Sequence, residues 1–226
     1  MNKKWKDKLL SSGFPLEYEV SDILIKSAFH VGGEYAYIRR GYMPFQEFSV
    51  DLESFCFISE SEKNDNYFGR LTLLIECKYR KDGKTWLFMP DDNDPDFSPI
   101  FPAAIRQFPQ FTSYKYNETV VTTFCNSFPA VMKGIEININ GGDVFDTDIR
   151  HAINQLRYGL PGIISREIGN AASAHPDDCK PFFILPLIVT NAPIRILNSG
   201  ENLRKIYIAE NLDDISTVHT VVDVSL

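Results

Sequence analysis

No apolar run in this 226-residue chain approaches the roughly 20 residues that a membrane-spanning helix needs. The longest, Phe182 to Val189, has eight residues and includes Pro186. The basic start, MNKKWKDKLL, leads into SSGFP and not into an apolar core, so the expectation is a soluble, cytoplasmic protein without a signal peptide. Close cysteine spacing is also missing. Cys56, Cys77, Cys125 and Cys179 form no CxxC, which argues against a zinc ribbon or a disulfide framework and for reduced thiols. The four histidines (His30, His151, His175, His219) have neither metal nor triad spacing, and no serine or cysteine sits in a nucleophile elbow. Positive charge is scarce: Lys and Arg total 23 against 30 Asp and Glu, a formal charge of −7. That argues mildly against a nucleic-acid partner held by bulk charge. It does not exclude an enzyme, because a carboxylate-rich metal site reverses the local sign once a cation binds.

What is present has the composition of a globular domain: 44% hydrophobic and 23% charged residues, with no internal repeat. From Leu16 to about Phe29 the apolar positions Leu16, Val20, Ile23, Leu24 and Ala28 fall at helical steps, with Pro15 suited to the first turn. Gly32-Gly33 is expected to break the pattern, after which the period becomes two. Glu34 to Arg40, Phe48 to Ser59 and Leu71 to Tyr79 read as strands, the last two joined by a polar hairpin loop. A Pro- and Asp-rich insertion follows over 91–109, then strands at Asn117 to Cys125 and Lys133 to Ile139. Asp146-Thr147-Asp148 caps a helix expected to stop near Gly159-Leu160-Pro161, with a second from Gly162 to Ala172. Phe182 to Leu197 reads as one or two strands buried on both faces. The order implies one α/β domain over 1–226, with its core over 13–195 and a mixed central sheet flanked by helices.

One stretch carries chemistry. Leu71 to Ile75 is a strong strand former that runs directly into Glu76-Cys77-Lys78. Strand side chains alternate, so Glu76 and Lys78 share a face, with Cα atoms roughly 7 Å apart. Ending a buried strand on two charges is unfavourable unless they pair or hold an ion. Phe48 to Leu52 places Asp51 inside a second apolar strand, and antiparallel pairing across the polar loop would bring it beside Glu76. Two adjacent carboxylates repel unless a divalent cation lies between them. Oxygen ligands suit Mg²⁺ (or Mn²⁺), whereas His and Cys would indicate zinc. A neighbouring lysine can then orient water or stabilise charge on a phosphate, which implies metal-assisted phosphodiester hydrolysis. Glu53 shares the face of Asp51 and is the rival ligand or a solvated neighbour. Asp92, Asp94 and Asp96 open like a calcium loop but lack its Gly and Glu, since Phe97 and Ala103 stand there. Lys3, Lys4, Lys6 and Lys8, with Trp5, make a basic terminus that either touches phosphates or is simply solvated.

In this order the chain resembles the PD-(D/E)XK nuclease superfamily, with Asp51 at the first acidic position and Glu76-Cys77-Lys78 as the E-x-K. Val50 replaces the proline, which the family often lacks. The resemblance covers about 13–80 and, more loosely, 118–195. It implies a restriction-endonuclease-like α/β core and assigns Glu17, in preference to Glu19, as the extra acidic residue on the first helix. Gln155 falls where many members carry a glutamine. Asp51, Glu76 and the Cys77 carbonyl are the implied metal ligands, and Lys78 would position the water. Nucleic acid, with DNA as the first expectation, is the implied partner, and a homodimer is a common arrangement. The alternative is a module that keeps this fold for binding or assembly without cutting.

Overall fold

The computed structural model describes residues 4–38, 47–59, 68–91, 128–172, 182–201 and 203–224. The expected strand at 117–125, almost all of the 91–109 insertion, the acidic triplet Asp92, Asp94 and Asp96, Lys3, Cys125, His175 and Cys179 lie outside them.

Two short helices open the chain, α1 (Lys4–Leu10) and α2 (Phe14–Lys26). Strands β1 (His30–Ile38), β2 (Glu47–Ser59), β3 (Phe68–Lys78), β4 (Lys84–Pro90), β5 (Ala130–Asn138) and β6 (Val144–Phe145) follow. The long helix α3 (Thr147–Ala172) precedes β7 (Phe182–Thr190) and β8 (Ile194–Leu197). Helix α4 (Leu203–Ile208), a 3-10 turn at Leu212–Asp214, and the short strands β9 (Ser216–His219) and β10 (Asp223–Val224) complete the order.

In place of the single central sheet expected there are two mixed sheets. The first runs β1-β2-β3-β7, and the second β10-β5-β4-β8-β9 with β6 beside β5. Strand β3 pairs antiparallel with β2 and parallel with β7. Strand β4, which the periodicity did not separate from its surroundings, pairs antiparallel with β5 and parallel with β8. The parallel pair thus passes from one sheet to the next through two short links. Asn191 ties them: its Oδ1 accepts from the Arg80 N–H at 2.5 Å and its Nδ2 donates to the Arg80 carbonyl at 2.7 Å.

The first sheet is covered on both faces. Val20 and Leu24 of α2 pack against Leu52, Leu73 and Ile75 on one face. Leu156 and Ile163 of α3 pack against Val50, Leu74 and Ile184 on the other. The amino-terminal part of α3 also reaches the second sheet, where Ile149 joins Trp86, Phe88, Val131 and Ile196. Helix α3 is continuous through Pro161, contrary to the expected break. Proline removes a hydrogen-bond donor and crowds the preceding turn, but Leu156 and Ile163 on either side are anchored in one core, and that packing carries the helix across. Gly159 does not end it either. A Cβ there would sit 3.3 Å from Val50 and 3.4 Å from Leu74, so the glycine lets α3 lie close on the sheet.

The expected break at Gly32-Gly33 is instead a double register shift inside β1. Val31 pairs Ser54 and Gly33 pairs Glu53, then Tyr35 pairs Val50. One residue, Gly32, is therefore extra on β1, and on β2 Asp51 and Leu52 together oppose Glu34. Gly33 takes a φ of +81°, a conformation glycine adopts without strain. The second bulge has a consequence for the site, since a bulge turns consecutive side chains onto new faces. Val50 points to α3 and Leu52 to α2, with Asp51 between them.

Candidate functional site

The site forms where β2 and β3 part. Their ladder runs from Ser59↔Phe68 to Leu52↔Ile75, and the next residues, Asp51 and Glu76, begin a notch. Beyond it β3 stays paired with β7, through Glu76↔Ile188 and Lys78↔Thr190, so one side of β3 is held while the other is released. The Thr190 hydroxyl also donates to the Lys78 carbonyl at 2.8 Å. On the released side the Cys77 N–H has no strand carbonyl to meet and donates to Asp51 Oδ2 at 2.7 Å. The sequence spacing anticipated this juxtaposition of Asp51 with the Glu76-Cys77-Lys78 segment.

Glu76 is only 1% exposed. Its Oε1 accepts from Lys78 Nζ at 2.5 Å, and its Oε2 is buried without a partner. Lys78 Nζ also donates to Gln155 Oε1 at 3.1 Å, and Gln155 Nε2 donates to the Ser49 carbonyl at 3.0 Å. Gln155 thus bridges α3 to both strands of the notch, and the amide orientation follows from having one acceptor and one donor to satisfy. Glu17, on the first turn of α2, is within electrostatic reach of Asp51 and Lys78. All five predicted side chains are therefore gathered at one end of the first sheet.

The electrostatics are those of a crowded, half-dry carboxylate site. Burial raises the Glu76 carboxyl to about 7, opposed by Lys78 and by the Asp51 backbone N–H, with the charge of Asp51 adding to the rise. Burial also raises Asp51, opposed by the Cys77 N–H and by Lys78. Glu17 is raised by burial, then by the charges of Asp51 and Glu34. The Cys77 thiol, buried in the α2 face and surrounded by Asp51, Glu17 and Glu76, is pushed up to about 12. It is a neutral core group, so Cys77 serves the site through its backbone.

Glu34 is the residue that sequence reading missed. It lies opposite the Asp51-Leu52 bulge and raises both Asp51 and Glu17. Its alternation within β1 was legible, but its place at the notch depended on two bulges. Glu53 is neither a ligand candidate nor a solvated neighbour. Arg166 of α3 grips it with two hydrogen bonds, Nη1 to Oε2 at 3.0 Å and Nη2 to Oε1 at 2.5 Å. The bulge separates Glu53 from Asp51 by turning the strand between them. His151 is exposed on α3 and takes no part.

Among the described residues, no group of three or more His, Cys, Asp or Glu side chains is gathered as a metal cage. The arrangement offers instead two carboxylates, one with an unpartnered buried oxygen, beside a lysine. No helix among the described residues is long and apolar enough to cross a membrane. No protein-family model, curated protein or solved structure matches this chain, so its functional reading rests on the geometry of this notch.

Proposed function

We propose that this chain is a divalent-metal-dependent nuclease with a restriction-endonuclease-like core, acting on DNA in the first instance. The observation that carries the reading is the Glu76 carboxylate, buried at the notch, coupled to the charge of Asp51, and with an Oε2 that has no hydrogen-bond partner among the described residues. A buried carboxyl oxygen left without a donor is unfavourable by about 1–3 kcal/mol. Such an atom persists where a ligand repays the loss.

The residues fit Mg²⁺ or Mn²⁺ better than a harder-to-hydrate ion's all-protein cage. Mg²⁺ keeps several waters and takes one or two carboxylates, and Asp51 and Glu76, with the Cys77 carbonyl, would provide that set. When bound, the cation supplies charge neutralisation and makes water nucleophilic near neutral pH. The chain's own groups do the rest. Glu76 would serve as a ligand and Lys78, now paired with it, would orient the attacking water or steady the phosphate. Gln155 holds Lys78 from α3 and limits how far it swings. Glu17 adds negative charge at the mouth and completes the acidic set.

The closed Glu76–Lys78 pair favours a second reading, a module that keeps the fold for binding or assembly. Both are tested by incubating supercoiled plasmid, linear duplex and single-stranded DNA with Mg²⁺ or Mn²⁺ and the wild type, Glu76→Ala or Lys78→Ala protein. Metal-dependent cutting lost in both variants supports the nuclease. Cutting that survives both places the activity elsewhere, and absence of both cutting and calorimetric metal binding leaves the binding module.

A further inference from the structure

The amino-terminal helices leave an unusual surface beside the notch. Helix α1 carries Lys4, Lys6 and Lys8 against a single Asp7, buries no residue, and so forms a local positive patch on a chain of net charge −7. Trp5 on that helix is 68% exposed. On α2, Phe14 is 61% and Tyr18 69% exposed. At 100° per residue both rings lie on one side of Glu17, the α2 residue coupled to Asp51, and Val20 and Leu24, which face the sheet, lie on the other. Three large rings thus stand in water on the helices that carry Lys4, Lys6 and Lys8 and, at the notch, Glu17. Large exposed aromatics are costly unless something covers them.

We infer that α1 and α2 hold an unpaired nucleic-acid strand leading into the notch, with bases stacked on Tyr18, Phe14 and Trp5 and phosphates near Lys6 and Lys8. This rests on the nuclease reading and specifies its substrate as one with a single-stranded segment. Alternating basic and aromatic side chains are what sequence-tolerant single-strand binding requires, because every base offers a π face and every nucleotide a charge. Two copies of this chain meeting patch to patch would set lysines against lysines, whereas a nucleic-acid strand brings both the opposite charge and π faces.

The test uses the full chain, a short oligothymidylate and EDTA, so that binding is read without cleavage. Trp5 and Trp86 are the only tryptophans, and Trp86 is 2% exposed. Stacking on Trp5 therefore quenches the red-shifted part of the emission, and Trp5→Phe abolishes the quench. Tyr18→Ala is expected to weaken binding about tenfold. Lys6→Gln with Lys8→Gln is expected to lower the salt slope by about 1.4, from about 0.7 per phosphate contact on a single strand. Unchanged affinity in all these variants overturns the proposal. So does sedimentation showing a dimer that Phe14→Ala dissociates, which would make the face a self-association surface. Plasmid cleavage by the wild type is measured alongside: cutting with unaltered variant binding overturns the surface alone, whereas neither cutting nor oligonucleotide binding overturns the nuclease reading with it.

Discussion

Glu76 and Glu136 are both almost fully buried, yet their neighbours move them in opposite directions. Glu76 has one cation and one empty oxygen, so burial wins and the carboxyl rises to about 7. Its folded value lies above the ordinary 4.5, so the stability it contributes is present below about pH 4.5 and is lost as pH rises through about 7. The difference amounts to roughly 3 kcal/mol at most. Glu76→Gln is accordingly expected to stabilise the metal-free protein by about 2 kcal/mol at pH 8 and by little at pH 4, read from denaturant midpoints at the two values. Equal effects at both pH values would refute the burial argument. Lys78→Ala should act differently: it removes the only cation paired with Glu76 among the described residues, so the loss, about 3 kcal/mol at pH 8, should fade as the solution is acidified and Glu76 takes a proton.

At the scale of elements, α3 determines whether the notch is assembled. It is fastened at two places on one face, by Gln155 to Lys78 and Ser49 and, eleven residues on, by Arg166 to Glu53, while the next residue, buried Glu167, pairs with Arg70 of β3 at 3.5 Å. Between them Gly159 sits against Val50 and Leu74. Gly159→Leu forces the helix off the sheet, and a destabilisation of about 2 kcal/mol is expected from overpacking. Because Gln155 lies one turn earlier, the proposed nuclease activity should fall further than stability does at a temperature where the variant is still folded. Pro161 is exposed, and Pro161→Ala restores a backbone donor, so a gain of about 1 kcal/mol is expected in thermal unfolding. The sequence suggested a helix end at this place because Gly-Leu-Pro is a stop signal locally. Only the shared core on both sides of it makes the helix continue.

For the molecule as a whole, Glu136 links what the two sheets and α3 contribute. Its carboxylate accepts from Lys84, from Arg80 Nε at 2.5 Å and from Trp86 Nε1 at 3.2 Å, and Arg80 reaches Asp148 of α3 at 3.0 Å. Burial would raise Glu136, but those three donors overcome it and hold the carboxyl below the usual range. The sign is therefore opposite to Glu76: its stabilisation is present above about pH 4.5 and is lost as pH falls through the depressed value. With one carboxylate favouring acid and another failing in it, the metal-free protein is expected to be most stable near pH 5. On the proposed reading, added Mg²⁺ moves that maximum upward by favouring ionised Glu76, which a pH series of melting curves with and without the ion would detect. Glu136→Leu strands Arg80 and Lys84 and is expected to lower stability by about 3 kcal/mol.

What the chain determined by itself is local. Alternation marked β2 and β3, helical spacing marked α2 and the start of α3, and the position of Glu76 and Lys78 at the end of an apolar strand marked the candidate site, because burial of charge is a cost readable from neighbours in sequence. The antiparallel placement of Asp51 against Glu76 followed from strand period and loop length. Tertiary structure alone decided the rest. The split into two sheets depends on β4 and β8 pairing across more than a hundred residues. Glu34 entered the site, and Glu53 left it, through bulges that no period of two encodes. Gln155 met Lys78 because Gly159 lets a helix approach a sheet at a distance set by side chains far apart in sequence. Each of these outcomes depends on contacts between distant segments, and such contacts exist only once the chain is folded.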